Sequence, residues 1–285
     1  MTDNRLPITD YHLLMLIAQF TDLHVGRIIE TAAGPVDLYD RLVTAVDHLR
    51  SLHPQPDLIM LTGDLSNHGN EADYIRVREQ IARLEPPVYI IPGNHDQRDR
   101  LRRIFAGHTY WPAEGYIQYT LEQYPLRIIC LDTLAAGHHY GILDEERLAW
   151  VEERLREAPD RPTIIFMHHP PFKTGLRYPD QLMCRNGDKF GEIVARHPQI
   201  QAVVCAHVHR DAAAHWRGTT AIVTGSAAFA NDLILYDVDD VDPYFEPPVC
   251  RLFLWENGLL TSHISYIGDY PFGLSEGVPA PPKNE

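Results

Sequence analysis

Apolar runs rich in β-branched residues recur along this chain, and they predict its strands. Most of the runs are continuous rather than alternating, as expected of strands that are covered on both faces. In chain order they are Leu13 to Phe20, Asp57 to Thr62, Val88 to Ile91, Arg127 to Leu131, Thr163 to Met167, Ala202 to Cys205, Thr220 to Thr224, Cys250 to Trp255 and Leu260 to Ile267.

Segments between these runs show the 3.6-residue period of amphipathic helices. Leu148, Val151 and Leu155 fall on one face, with Asp144 as a suitable N-cap, and a further helix is predicted to begin near Glu71. A longer face is formed by Leu38, Leu42, Ala45, Val46, Leu49 and Leu52. Alternating strands and helices predict a layered α/β fold.

The C-terminal third departs from this alternation. Residues 229–248 are acidic, aromatic and proline-bearing, which indicates a cap segment at the rim of the domain. We therefore predict a core domain over 13–228, a cap or oligomerisation segment over 229–248, and strands that return to the core over 249–270. The tail, 271–285, has the composition of a disordered segment.

Composition narrows the range of partners. The 285 residues include 39 Asp and Glu against 25 Lys and Arg, a formal net charge of -14. Such a surface disfavours nucleic acid polymers and anionic membranes. No apolar run is long enough to span a bilayer, so a cytoplasmic location is predicted. The four cysteines are far apart and are predicted to be buried small side chains.

Five polar clusters stand at the ends of predicted strands, where open α/β sheets place their sites. They are "TDLH" with Asp22 and His24, "TGDLSNHG" with Asp64, "GNHD" with Asn94 and His95, "MHHPP" with His168 and His169, and "AHVHR" with His207 and His209.

These residue types suit divalent metal ions. In an extended chain, the spacing of two in Asp22-x-His24 and His207-x-His209 puts both side chains on one face, so each pair could hold an ion from one side. Asp64, after the small Gly63, is free to bridge two cations. Paired metals roughly 3.5–4 Å apart generate hydroxide near neutral pH. Two divalent ions, two carboxylates and this hydroxide leave a formal charge of about +1, which suits a singly anionic phosphodiester.

Other residues of these clusters are predicted to meet the substrate. His95 could stabilise charge or protonate the leaving alkoxide, with Asp96 orienting the ring and keeping it protonated. Asn67, on the loop after Asp64, is predicted to face the substrate. His169, next to His168, is a further candidate residue of this site.

The ordered set DxH, GD, GNHD, HHPP and HxH resembles the calcineurin-like metallophosphoesterases. The "PGNHD", "MHHPPF" and "DPYFEPP" segments resemble most the bacterial class III cyclic-nucleotide phosphodiesterase and glycerophosphodiesterase branch. The resemblance extends from Leu16 to Ile267. The chain departs from the family at Ala206, where a glycine usually precedes the first His of the HxH pair.

The resemblance implies a four-layer αββα sandwich with a C-terminal cap that often takes part in oligomerisation, and so a homo-oligomer, dimeric or dimer-based. It also gives His95 the substrate-contacting role. Because it makes His168 the ligand of its pair, His169 is predicted to contact the substrate or to support a metal ligand, and a purely structural role is the alternative. The implied ligand sets are Asp22, His24 and His209 for one metal, Asn94, His168 and His207 for the other, and Asp64 as the bridge.

The expected function is a dinuclear phosphodiesterase that hydrolyses 3′,5′-cyclic nucleotides or glycerophosphodiesters through a metal-bound hydroxide. Nitrogen and oxygen ligands suit Mn, Fe, Zn or Co without deciding among them. The alternatives are a phosphomonoesterase or nucleotidase of the same fold, and a non-catalytic scaffold. Only Arg98 and Arg210 flank the motifs, which favours a diester over a dianionic monoester.

Overall fold

The computed structural model describes residues 14–270. The helices are α1 (Leu38–Ser51), α2 (Glu71–Ile81), α3 (Arg98–Ile104), α4 (Glu145–Glu157) and α5 (Gly187–Ala195), with a 3-10 turn at Pro179–Gln181. The strands are β1 (Met15–Phe20), β2 (Ile28–Thr31), β3 (Gly34–Asp37), β4 (Leu58–Leu61), β5 (Val88–Ile90), β6 (Tyr119–Leu121), β7 (Arg127–Leu131), β8 (Gly141–Ile142), β9 (Thr163–Met167), β10 (Cys184–Arg185), β11 (Ile200–Cys205), β12 (Ala212–Trp216), β13 (Thr219–Val223), β14 (Ala230–Asn231), β15 (Pro243–Tyr244), β16 (Val249–Glu256) and β17 (Leu259–Tyr266).

Two large sheets form the centre of the molecule. The first has the strand order β17-β16-β1-β4-β5, and the second has the order β12-β13-β11-β9-β7-β6. Strands β1, β4 and β5 are parallel, as are β7, β9, β11 and β13, and antiparallel strands complete the sheets. The parallel strands are continuous buried runs because both faces of each sheet are covered.

Alternate residues of the second sheet face opposite layers. One set shares a core cluster with the first sheet: Ile128, Cys130, Ile164, Phe166, Ala202 and Val204. The other set packs with α4 and α5: Ile129, Leu131, Ile165, Met167, Val203 and Cys205. Phe166 of β9 meets Phe253 of β16 with ring centroids 5.8 Å apart, and burial of each ring contributes roughly 1.5–3 kcal/mol. The sheets therefore pack face to face.

Helices cover the outer face of each sheet. The apolar faces of α1 and α2 lie in the same cluster as the first sheet. Helix α1 begins where Asp37 accepts a hydrogen bond from the Tyr39 N–H, and α4 begins where Asp144 accepts one from the Arg147 N–H. The predicted four-layer αββα sandwich and the Asp144 cap are confirmed.

Short elements escaped prediction. The hairpin β2–β3, helix α3 and edge strands β6 and β12 lack a long apolar run, and α5 follows an Asn-Gly pair that signals a turn. The four cysteines are buried and unpaired, as predicted. Within 14–270, every helix is too short or too polar to cross a membrane. The tail prediction, 271–285, and Leu13 lie outside the described residues.

Candidate metal centre

The polar clusters lie just beyond parallel strands of both sheets. Asp22 and His24 follow β1, Asp64 follows β4, Asn94 and His95 follow β5, His168 and His169 follow β9, and His207 and His209 follow β11. Within the described chain, the groups with ligand atoms within 4.8 Å of one another are Asp22-His24-His209, Asp22-Asp64-His168, His24-Asp64-His95 and His168-His169-His207. Stacking the two sheets brings these strand ends together.

The backbone at these positions is not extended, so the geometry assumed for the DxH and HxH pairs is wrong. Each pair lies in a loop after its strand. Asp22 and His24 still share one group, as expected of a pair that holds one ion, whereas His207 and His209 lie in different groups. Left-handed backbone costs of order 1–3 kcal/mol per residue and is concentrated at functional sites. The positive φ values are 55° for Asp22, 46° for His24, 53° for Asp64, 73° for His207 and 57° for His209.

The first group centres on two facing imidazoles. The Nε2 atoms of His24 and His209 lie 3.0 Å apart, and His209 Nε2 lies 3.3 Å from an Asp22 carboxylate oxygen. His24 Nδ1 donates to the Asn67 side-chain oxygen at 3.2 Å, and His209 Nδ1 donates to the Phe229 carbonyl at 3.1 Å. With both Nδ1 atoms protonated, neutral His24 and His209 direct two lone pairs at each other. A cation between them would remove this repulsion.

The second group centres on His168. Its Nδ1 donates to the Thr62 carbonyl at 2.7 Å, which leaves Nε2 3.4 Å from Asp64 and 3.9 Å from Asp22. The His207 ring lies 5.3 Å from the His168 ring, centroid to centroid. Asp64 also reaches the first group, with an oxygen 3.6 Å from His24 Nε2. Asp64 is thus placed between the two groups.

Several of these polar atoms have no hydrogen-bond partner although they are buried. They are Asp22 Oδ1, Asn94 Oδ1 and His168 Nε2. A buried polar atom without a partner costs about 1–3 kcal/mol, so such atoms are rare unless an ion or water satisfies them. A carboxylate oxygen, an amide oxygen and an imidazole nitrogen are all metal ligands. The residues present therefore fit a metal centre.

Burial and charge set the protonation of this site. Burial would raise the pKa of Asp22, but His209 and His168 outweigh it and hold this pKa at about 2. Burial lowers the pKa values of His24 and His207 to about 3, which keeps their lone pairs free. Burial also opposes the charge of His168, but Asp64 and Asp22 overcome it and raise its pKa to about 9.

His95 is oriented by a neighbour other than the predicted one. Its Nδ1 donates to the Asn67 carbonyl at 2.7 Å, and its backbone N–H donates to an Asp64 oxygen at 2.8 Å. Its ring stands edge-on to His24 with centroids 4.7 Å apart. The ring therefore lies beside the candidate metal centre.

Asp96 does not contact the His95 ring, so its predicted role as orienting carboxylate is wrong. Its carboxylate folds back and accepts hydrogen bonds from the backbone of Gly93 and Leu65 and from the Tyr74 hydroxyl. Burial and the neighbouring Asp64 raise its pKa to about 7. Asp96 closes the turn that presents Asn94 and His95, because these donors hold it inside the loop.

Asn67 supports the site through two contacts. Its side-chain oxygen holds His24 and its carbonyl holds His95. The prediction placed it toward the substrate, and sequence alone could not reveal a role that depends on a backbone carbonyl. The same is true of Thr62 and Phe229, whose carbonyls orient His168 and His209.

His169 is buried, and both of its ring nitrogens have partners. Nδ1 lies 2.8 Å from the Thr133 hydroxyl, and Nε2 donates to the His139 carbonyl at 3.2 Å. Nδ1 of His139 lies 3.3 Å from the Asn94 amide nitrogen. The sequence did not single out His139 as a site residue. Direct contact of His169 with substrate stays a prediction.

The departure at Ala206 does not disturb the turn. Ala206 lies outside the left-handed residues of this segment, and its N–H donates to the His168 carbonyl at 2.9 Å. Alanine therefore fits at this position, and the positive φ begins one residue later at His207.

A cavity of about 550 Å³ opens beside Asn94 and His95. Arg98 lines it, but its guanidinium makes a two-point contact with Asp132 at 2.6 and 2.7 Å. The other flanking arginine, Arg210, makes a similar contact with Glu246 at 3.0 and 2.8 Å. Both flanking cations are thus neutralised by carboxylates.

Comparison with known sequences finds a family profile and two phosphodiesterase relatives that match this chain. The sequence profile described as "Calcineurin-like phosphoesterase" matches residues 15–211. The protein named "Probable glycerophosphodiester phosphodiesterase GpdQ" of Arcobacter nitrofigilis is 33% identical over 269 residues, covering 92% of this chain and 98% of that protein. A protein of Rhodopseudomonas palustris named "Probable cyclic nucleotide phosphodiesterase" is 39% identical over 248 residues, covering 85% and 90%.

A solved structure shares the fold. The dimetal phosphatase from Danio rerio superposes with a TM-score of 0.62 over 89% of this chain and 99% of that chain. The two sequences are 13% identical, so this similarity concerns the fold alone.

Proposed function

We propose that this chain, which belongs to the calcineurin-like phosphoesterase family, is a dinuclear metal-dependent phosphodiesterase that acts on small phosphodiesters. The observation that carries the proposal is the convergence of buried polar atoms without hydrogen-bond partners from both sheets. A pair of metal ions, when bound there, supplies an activated water and positive charge for the phosphoryl oxygens.

The division of ligands follows the two groups. Asp22, His24 and His209 would hold one ion, and Asp64 would be shared because its oxygen lies near both His24 and His168. The other ion would be held by Asn94, His168 and His207. Backbone and amide oxygens hold the Nδ1 protons of His24, His168 and His209, so that Nε2 of each neutral ring is the atom available to a metal. This donor set suits Mn, Fe, Zn or Co.

His95 serves the leaving group in this proposal. Because Nδ1 is engaged with the Asn67 carbonyl, the ring is fixed and the other nitrogen is left to hydrogen-bond the departing alkoxide oxygen. In the imidazolium form that nitrogen also carries a proton, and its transfer to the alkoxide oxygen would assist breaking of the ester bond and leave His95 neutral. The cavity beside His95 and Asn94 offers room for the alcohol half of the diester.

Charge favours a diester over a monoester. A monoester carries about two negative charges and profits from free cationic donors. Arg98 and Arg210 are committed to Asp132 and Glu246, so neither is free to meet a second phosphate charge. The relatives named above support cyclic nucleotides and glycerophosphodiesters as the substrate classes.

A substrate panel on metal-reconstituted protein tests the proposal. It compares 3′,5′-cyclic AMP, glycerophosphoethanolamine, bis(p-nitrophenyl) phosphate and p-nitrophenyl phosphate, alongside the metal content of each preparation. We expect two metal ions per chain and hydrolysis of the diesters well above that of the monoester. Preference for p-nitrophenyl phosphate would favour the phosphomonoesterase alternative, and a protein that binds no metal and hydrolyses nothing would favour a scaffold.

We also propose that the enzyme forms a homo-oligomer through residues 229–248. This segment exposes Leu233, Leu235, Tyr236 and Tyr244, an unusual density of apolar side chains on an acidic surface. Light scattering should give an oligomer mass for the wild type and a monomer mass for the double variant Leu235→Glu/Tyr236→Glu. Identical masses at the monomer value would reject this interface.

A further inference from the structure

A histidine outside the predicted ligand set contacts one of the predicted ligands. His139 lies on the loop of residues 135–140, and its Nδ1 is 3.3 Å from the amide nitrogen of Asn94. The same amide has its oxygen buried without a partner, directed away from His139. The amide nitrogen therefore meets His139, and the amide oxygen is left for a metal.

An asparagine amide can occupy the same space in two orientations. If His139 Nδ1 accepts, the Asn94 NH₂ must point to it and the carbonyl oxygen is free. If this contact is lost, the NH₂ group can turn toward the centre, where it offers a donor to a cation and cannot ligate it. The acceptor at position 139 thus selects the orientation in which Asn94 can bind a metal.

The loop that carries His139 is anchored to the second sheet. His169 Nε2 donates to the His139 carbonyl at 3.2 Å, and the Thr133 hydroxyl donates to His169 Nδ1 at 2.8 Å. Donation to a carbonyl fixes the proton on His169 Nε2, which leaves Nδ1 as the acceptor. Thr133 follows β7 and His169 follows β9, so these bonds tie the loop to two strand ends.

Close packing keeps the loop at this position. Leu134 and Gly141 pair across its base, and the Ile142 N–H donates to the Thr133 carbonyl at 2.9 Å. A Cβ at Gly141 would lie 2.4 Å from the His169 ring, so only glycine allows the chain to approach this closely. Arg185 lies over the Tyr140 ring at 3.3 Å and holds the far side of the loop.

We infer that His139 is a positioning residue for the second metal: through Nδ1 it fixes the amide orientation of Asn94, and the His169–Thr133 pair holds it in place. This inference rests on the proposed metal centre. It assigns His169 a task that needs no contact with substrate, and it explains why a buried histidine with two satisfied nitrogens stands beside the ligands.

Titration of metal-free protein with Mn²⁺, followed by calorimetry, tests this role without reference to turnover. The wild type should show two binding events. His139→Ala should weaken one of them by about 10- to 100-fold and leave the other unchanged, as expected when the support of a ligand is lost. His139→Gln keeps an acceptor and should recover most of the lost affinity.

Matched variants complete the design. His138→Ala changes the exposed neighbour on the same loop and should bind Mn²⁺ as the wild type does. Asn94→Ala should weaken the same event as His139→Ala, and the double variant should lose little beyond Asn94→Ala, because both act through one amide. Three results would each overturn the inference. They are losses of Mn²⁺ affinity that add fully in the double variant, a His139→Ala isotherm identical to that of the wild type, and equal weakening of both binding events by His139→Ala. A wild type that binds no Mn²⁺ would instead refute the proposed metal centre.

Discussion

His24 and His209 are separated by 185 positions, yet their Nε2 atoms face each other at 3.0 Å. Each ring gives its Nδ1 proton to an oxygen, so neither Nε2 has a proton to offer while the ring is neutral. While both rings are neutral this contact is unfavourable, and a cation between the two nitrogens makes it favourable.

His209→Ala should therefore affect the two forms of the protein differently. In metal-free protein the substitution removes the close contact with His24 but also a partner of the Asp22 carboxylate, and these opposing effects should leave the melting temperature little changed. In metal-loaded protein it removes a ligand, and the stabilisation by binding, RT ln(1 + [L]/Kd), should fall. Thermal denaturation at several metal concentrations measures both effects. An equal decrease of the melting temperature in metal-free and metal-loaded protein would show that His209 does not bind the metal.

The tight exit from β4 gives a test of packing at the site. Gly63 has a φ of +104°, and a Cβ there would lie 2.5 Å from His168 Nδ1. Gly63→Ala should add this collision to a backbone strain of about 1 kcal/mol or more, and should weaken metal binding by displacing His168.

Gly34→Ala is the matched control for this substitution. Gly34 has a φ of +115° in the β2–β3 hairpin, and a Cβ there meets nothing within 4 Å. Urea unfolding should show a larger loss of unfolding free energy for Gly63→Ala than for Gly34→Ala. Metal analysis should show reduced metal content for Gly63→Ala only. Similar behaviour of the two variants would show that the space beside His168 can adapt.

His95→Ala should slow turnover while both metals are retained. We expect a fall in kcat of about 10²- to 10⁴-fold for substrates with an alkoxide leaving group, the usual contribution of a positioned proton donor. The fall should be smaller for bis(p-nitrophenyl) phosphate, because p-nitrophenolate needs little protonation. The exposed His215→Ala is the control. A uniform loss across leaving groups would contradict proton donation by His95.

Metal binding should release a proton from His168. Asp64 and Asp22 raise its pKa from 6.5 to about 9, so in metal-free protein near neutral pH the ring is charged and must lose a proton to bind. Because the folded-state pKa is raised, this group stabilises metal-free protein below pH 6.5, and the contribution is lost as pH rises through about 9.

Calorimetry in buffers of different ionisation enthalpy counts the released protons. At about pH 7 the wild type should release about one proton more than His168→Gln, and the difference should disappear above pH 9. Metal affinity of the wild type should rise over the same interval. A difference that does not change with pH would show that His168 is neutral before the metal arrives.

Much of the fold was accessible from the sequence because continuous apolar runs and 3.6-residue periods depend on local residue order. The runs at Arg127–Leu131 and Thr163–Met167 coincide with β7 and β9, and Asp144 caps α4 as its side chain suggests. The short hairpin β2–β3 and helix α5 were missed, since their contacts with the rest of the chain stabilise them more than any local pattern does.

The sequence by itself determined which donors stand at strand ends, because a polar residue after a buried strand leaves little choice of position. Only the tertiary structure decided how those donors are used. It turned Asp96 away from His95 and brought His139 to Asn94. These outcomes depend on left-handed turns and on hydrogen bonds to backbone carbonyls, which leave no signature in residue type and form only when distant strands are stacked.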